Sequence, residues 1–168
     1  STGYTTLDNK IKGLQKGHVI LIGGETSNGK SAFAANIARN VASTGKNVLF
    51  ITLEMLREEL EDRFRFINGG KVENLNISFQ MERGLDYHDL RPIFERNRDK
   101  WETELIVVDY LQYLGRGMTN SEVARMSKEI KSLALEFQVP MIVIVSLRKS
   151  ETGKTRRKWT EIEIEEFM

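Results

Sequence analysis

The chain contains no cysteine. That excludes disulfides and thiolate metal sites, and it is compatible with a reducing cytosol. Proline is scarce, with two in 168 residues, so few elements are forced to break. No apolar run reaches membrane-spanning length, and the opening residues carry no secretory-signal pattern. An excess of one charge is also missing: Lys and Arg number 25 against 24 Asp and Glu, for a net charge of +1. No global field selects nucleic acid, so charge has to be read segment by segment. The two histidines, His18 and His88, are too far apart in sequence to suggest metal chemistry and read as structural or surface residues.

What is present suits one compact α/β domain with a sizeable core. Apolar runs alternate with helical patterns, the signature of a parallel sheet covered by helices on both faces. Strands are expected at 18–22, 47–52, 105–108 and 141–145, with a short one at 77–79 inside a poorly legible stretch. Helices are expected at 30–42, 57–67, 87–97 and 121–137. The third carries Pro92, which a helix tolerates only in its first turn. The fourth places Val123, Met126, Ile130, Leu133 and Phe137 on one face. Gly45, after Ser43 and Thr44, reads as a left-handed helix stop. There are no repeats. The opening Ser1-Thr2-Gly3-Tyr4 reads as the interior of a longer protein.

The most informative segment is Gly24-Glu25-Thr26-Ser27-Asn28-Gly29-Lys30-Ser31, a complete G-x-x-x-x-G-K-S phosphate loop. It follows an apolar strand and precedes an Ala-rich helix, which is the context the motif requires. Its glycines let backbone N–H groups turn inward around phosphate oxygens. The helix start adds free N–H groups and a positive dipole end. Lys30 is expected to reach the β- and γ-phosphates of ATP, and Ser31 to ligate Mg²⁺.

Three further strand ends carry polar residues. Leu105-Ile106-Val107-Val108-Asp109 has the form of a Walker B strand, delivering Asp109 to the Mg²⁺ shell opposite Ser31; the competing reading of Asp109 is a helix cap. Glu54 follows the second strand. It reads equally as the carboxylate that orients the attacking water or as an acid favoured near a helix start. Ser146 ends the fourth strand, either as a γ-phosphate sensor or as an ordinary strand-end serine. Arg148, Lys149, Lys154, Arg156, Arg157 and Lys158 sit within eleven residues, with Trp159 beside them. This segment fits a single-strand nucleic-acid loop, bases stacking on Trp159, or a solvated surface loop. Arg116 lies in a second Gly-containing loop. Residues 161–166 alternate Glu with Ile and fit a strand or a helix start.

Together these residues resemble a known family. Ser1-Thr2-Gly3-Tyr4-Thr5-Thr6-Leu7-Asp8, the phosphate loop, Thr52-Leu53-Glu54-Met55, Val107-Val108-Asp109-Tyr110-Leu111-Gln112 and the run 121–140 occur in the order found in the RecA-like motor domain of DnaB-type replicative DNA helicases, phage members especially. The resemblance implies a RecA-like P-loop fold and ATP hydrolysis with Mg²⁺, coupled to 5′→3′ movement on single-stranded DNA. It makes Glu54 the catalytic base and Asp109 the Walker B acid, and it puts Arg116 and the 148–158 segment in or near DNA-contacting loops. It further implies a homo-hexamer with ATP sites between subunits, a cytoplasmic setting in a bacterium or a phage host, and primase and a helicase loader as further partners. The family's usual Gln or His is replaced by Ser146, which leaves γ-phosphate sensing to Ser146 through water, to Arg148, or to neither. Its fifth strand and arginine finger would lie beyond Met168, and its N-terminal region ahead of Ser1, so the 168 residues are expected to form one ATPase domain from a longer chain. The other readings are a recombination or clock-type RecA-like ATPase and a nucleotide-gated scaffold without processive unwinding.

Overall fold

The computed structural model describes residues 1–25, 28–52, 57–69, 75–81, 87–109 and 120–147. Five strands are present: β1 (Val19–Glu25), β2 (Val48–Thr52), β3 (Ile77–Met81), β4 (Leu105–Asp109) and β5 (Met141–Leu147). Five helices connect them: α1 (Thr5–Ile11), α2 (Lys30–Ala42), α3 (Arg57–Ile67), α4 (Leu90–Trp101) and α5 (Asn120–Phe137). The strands form one sheet in the order β1-β5-β4-β2-β3, and every pairing is parallel.

The sheet is buried on both sides, and residue parity decides which side each side chain serves. Val48, Phe50, Leu105, Val107, Ile142 and Ile144 pack with α2 and α3. Leu49, Ile51, Ile106, Val108, Met141, Val143 and Val145 pack with α4 and α5. Topology accounts for the division. The chain moves outward from β1 through β2 to β3, then returns through β4 to β5. Right-handed crossovers made in opposite directions put their helices on opposite faces. After β2 and β4, which are neighbours in the sheet, the chain therefore leaves toward opposite faces. That divergence opens a crevice at the carboxyl ends of the strands, where ligands sit in open α/β sheets.

Within its layer α2 is lined mostly by small residues, while α3 brings Leu60 and Phe64 to the same face. The buried side of α2 includes Ala34, Ala35, Ala38 and Ala42, which keeps its axis close to the sheet. The opposite layer includes Phe94, Met126, Ile130 and Leu133. Phe94 meets Phe137 edge to face at 5.8 Å between ring centroids. Arg98 covers Phe137 at 5.0 Å. Arg91 donates two hydrogen bonds to Glu136, at 2.7 and 2.8 Å, across the outer seam of α4 and α5.

Most expected elements are present, several with longer ends. The helices at 30–42 and 57–67 fall where the pattern places them. β1 runs on to Glu25, β4 takes in Asp109, and β5 reaches Leu147. The helix expected at 87–97 is a 3₁₀ turn at Tyr87–Asp89 followed by α4, with Pro92 in the first turn. Gly45 is left-handed at φ 84°, but the C-cap of α2 is Ser43 in right-handed conformation. The stop is a wider turn, in which the Thr44 and Gly45 amides bond back to Val41 and Ala42. α1 has no counterpart in the sequence reading. It buries none of its residues fully, so it leaves no apolar periodicity to detect. Residues 161–166 lie outside the described residues.

Asp8 of α1 accepts hydrogen bonds from the Ser1 hydroxyl at 2.6 Å and the Thr2 amide at 2.8 Å. Burial pushes its carboxyl up, but these bonds and the Thr2 hydroxyl outweigh that and hold it below its ordinary value.

Two outcomes are expected. Phe94→Ala should cost about 3–5 kcal/mol in chemical denaturation; a loss below about 1 kcal/mol would contradict the packing described. A depressed carboxyl stabilises fully above its unfolded value of about 3.9 and loses that contribution as pH falls through the lower folded value. Amide protection of residues 2–4 should therefore decline in that acidic window, and Asp8→Asn should remove the pH dependence.

Candidate functional site

β1 carries the chain to the carboxyl edge of the sheet, and α2 starts there with Lys30. Between them, Gly24 and Gly29 do separate jobs. A Cβ on Gly24 would lie 3.4 Å from Lys30 Cδ and 3.5 Å from Lys30 Cγ, ordinary contact distances, so the lysine stem runs beside the Gly24 backbone. Gly29 is the N-cap of α2 at φ 75°, ψ 14°, and its carbonyl accepts the Phe33 amide at 2.8 Å. This left-handed turn starts the helix directly after the loop, so the first amides of α2 face the loop.

Asp109 arrives from β4 and is 5% exposed. β5 separates β4 from β1, so the acid stands two strand spacings, roughly 10 Å, from the strand that feeds the loop. Ser31 bridges the gap. Its hydroxyl donates to Asp109 Oδ1 at 3.1 Å. Residues 78 apart in sequence thus meet as two hard oxygen groups. Such a pair suits a hard cation that takes its remaining ligands from phosphate and water, as Mg²⁺ does. Among the described residues no group of three or more His, Cys, Asp or Glu is arranged to hold a metal, so a cation at Ser31 and Asp109 would depend on those other ligands.

The remaining expected positions divide in two. In register, Ser146 of β5 is level with Gly24 of β1, so the strand expected to flank the phosphate loop does flank it. Thr52, 1% exposed, is level with Asp109, and Glu54 comes two residues later. Glu54 itself, Thr26, Ser27, Arg116, Arg148, Lys149, Lys154, Arg156, Arg157, Lys158 and Trp159 lie outside the described residues. His18 and His88 are well separated: the His18 carbonyl accepts the Met141 amide at 2.9 Å, and His88 Nδ1 lies 3.8 Å from Glu129. A cavity of about 600 Å³ opens at the opposite, amino-terminal edge of the sheet, lined in part by Phe94, Arg98, Phe137 and Pro140, away from the phosphate loop. Sequence reading assigns no role to Asn40, whose side chain grips the Thr2 carbonyl at 3.0 Å; a lone asparagine inside a helix carries no signal for such a contact.

Comparison with known proteins agrees with this geometry. The family described as "DnaB-like helicase C terminal domain" matches residues 1–70 and 66–166. The replicative DNA helicase DnaB of Geobacillus stearothermophilus is 31% identical over 179 residues, covering 89% of this chain and 39% of its own. The replicative DNA helicase DnaC of Bacillus subtilis is 32% identical over 178 residues, covering 88% of this chain and 39% of its own. The chain thus spans about two fifths of the length of these relatives. Among solved structures, a DnaB-like replicative helicase described with its primase interactions superposes with a TM-score of 0.76 at 21% identity, over 94% of this chain and 45% of that one. A second solved structure, described as an ATPase domain, gives 0.74 at 21% identity, over 89% of this chain and 64% of that one. The fold is the RecA-like one shared with these domains.

Nothing lies within 4 Å of a Cβ built on Gly29, so the cost of a side chain there is backbone strain alone. Gly29→Ala should destabilise the domain by about 1–2 kcal/mol, the left-handed penalty, and Gly29→Asn by less. Equal stability of all three proteins in thermal denaturation would refute the left-handed turn.

Proposed function

Because the chain belongs to the DnaB-like helicase C-terminal domain family, we propose that it is the ATP-hydrolysing motor domain of a replicative DNA helicase. In this reading it turns over ATP with Mg²⁺, moves 5′→3′ along single-stranded DNA, and works in the cytoplasm as one unit of a homo-hexamer that also engages primase and a loader. The observation that carries the proposal is the Ser31–Asp109 hydrogen bond, which joins the phosphate loop to an acid on a strand two positions away in the sheet.

Each residue has a chemical task. Lys30, its stem beside Gly24, supplies the positive charge for the β- and γ-phosphates, and the first amides of α2 receive the phosphate oxygens. Ser31 and Asp109 would hold Mg²⁺, which when bound supplies charge neutralisation across the phosphates. Glu54 follows the strand neighbouring Asp109 and would orient a water in line with the terminal phosphate and take its proton. Ser146, level with Gly24, offers a hydroxyl to the same phosphate, directly or through water. Arg116 and the basic residues 148–158 follow β4 and β5. Both segments therefore leave the sheet at the nucleotide edge, where a change of nucleotide state can move groups that neutralise a DNA backbone.

In the full protein carrying this domain, Lys30→Ala should weaken Mg·ATP binding at least about tenfold. Glu54→Gln should keep binding but lower turnover about a hundredfold or more, the usual range for loss of a general base, and abolish fork unwinding. Hydrolysis at the wild-type rate by Glu54→Gln would remove that residue from the mechanism. A wild-type protein that binds ATP yet unwinds no fork would favour the nucleotide-gated scaffold.

A further inference from the structure

The chain enters the domain through residues 1–4, and these lie along α2, the helix that opens with Lys30 and Ser31. Thr2 is polar and near the start of the chain, yet it is 1% exposed. Its carbonyl accepts Asn40 Nδ2 at 3.0 Å. Gly3 sits at φ 83°, and a Cβ there would come 2.2 Å from Asn40 Nδ2 and 2.8 Å from Asn40 Cβ; both conformation and space exclude a side chain. The Tyr4 ring then meets the Phe33 ring at 5.2 Å between centroids, tilted by 43°. Phe33, Ile37 and Asn40 follow the i, i+4, i+7 spacing of one helix face. The entry segment therefore runs antiparallel to α2 for two turns, held at Asn40 and at Phe33. Hydrogen bonds from the Thr2 amide to Asp8 and from the Tyr4 amide to Thr2 Oγ1, at 2.8 and 3.2 Å, keep it in one shape.

Phe33 stands two positions beyond Ser31, and its amide closes the first turn of α2 on the Gly29 carbonyl. Tyr4 and Phe33 each remain 37% exposed. Beside them a cavity of about 280 Å³ lies between α1, β1 and α2, lined among others by Thr2, Leu7, Gly23, Phe33 and Ile37. Phe33 lines this opening, and with both residues partly exposed the ring pair is seated at the surface and is not locked in the core.

We propose that Tyr4 and Phe33 are positioning residues of the nucleotide site, coupling occupancy of the phosphate loop to the seating of residues 1–4 along α2. The inference rests on the nucleotide reading given above. A phosphate on the first amides of α2 orders the turn that holds Phe33, and an ordered Phe33 offers Tyr4 a fixed partner. In the other direction, a seated Tyr4 orders that turn before the phosphate arrives, and linkage makes the two effects equal. A polypeptide joined ahead of Ser1 would be attached to this lever and would feel the nucleotide through it.

The test is hydrogen exchange at residues 2–4 with and without Mg·ADP, paired with Mg·ADP affinity. In the wild type, nucleotide should slow exchange there about fivefold, the lower end of typical site-to-site coupling. Tyr4→Ala, a surface change, should weaken Mg·ADP binding by a similar factor and erase the exchange response while leaving the thermal transition in place. Phe33→Leu should do the same; if it does not fold, Tyr4→Ala decides alone. Nucleotide binding with unchanged exchange at residues 2–4, or wild-type affinity in Tyr4→Ala, would overturn the coupling alone. Failure of the wild type to bind Mg·ADP, with Lys30→Ala behaving identically, would overturn the nucleotide reading and this inference with it.

Discussion

The seat of α2 on the sheet is the constraint from which the rest follows. Its alanines bring the helix close over Val48, Phe50, Leu105, Val107, Ile142 and Ile144. That seat goes with a contact in which a side chain as short as Ser31 meets, at 3.1 Å, a carboxylate that arrives on a strand two positions from β1. A bulkier inner face would lift the helix axis and pull the hydroxyl out of hydrogen-bond range, which falls off beyond about 3.5 Å for such pairs. The small residues of α2 thus belong to the site as much as its lysine does, although none of them touches it.

Topology supplies the second requirement. Outward travel on one face and return on the other leave β5 between the loop strand and the acid strand. That arrangement sets the ends of the loop strand and the acid strand roughly 10 Å apart, two strand spacings. Ser146 and Asp109 reach this edge on neighbouring strands, and Thr52, just ahead of Glu54, stands level with Asp109. The proposed site is therefore a row of neighbouring strand ends, each bringing a polar residue to this edge after an apolar run.

That row explains what could be read from sequence. β2 and β4 are buried on both faces, so they appear as unbroken apolar runs closed by a polar residue, and the phosphate loop announces its own flanks. The Ser31–Asp109 partnership was legible because the motif fixes one side and the strand end fixes the other. α1 was not, since a helix that buries nothing fully has no periodic stripe. Nor was the grip of Asn40 on Thr2. It depends on a left-handed Gly3 and a tertiary approach, and neither leaves a local pattern. Strand ends were short by one to three residues for a physical reason: Gly23, Gly24 and Ser146 continue the ladder through backbone bonds without adding apolar character.

Charge adds a further constraint. Among the residues proposed for the nucleotide site, Lys30 would be the one cation, against the acids Glu25, Glu54 and Asp109. A triphosphate brings several more negative charges, and Mg²⁺ offsets two. Phosphoryl transfer is catalysed mainly by positioning and by positive charge at the oxygens where negative charge accumulates. This set of residues is therefore electrostatically deficient by itself, whatever the quality of its phosphate loop. On the proposed reading, further cations would come from Arg148 and Lys149, which follow β5 in sequence, or from another subunit. An ATP site that is short of positive charge within one chain binds best when a second chain closes over it. In a ring, that requirement would make assembly and nucleotide turnover parts of a single equilibrium.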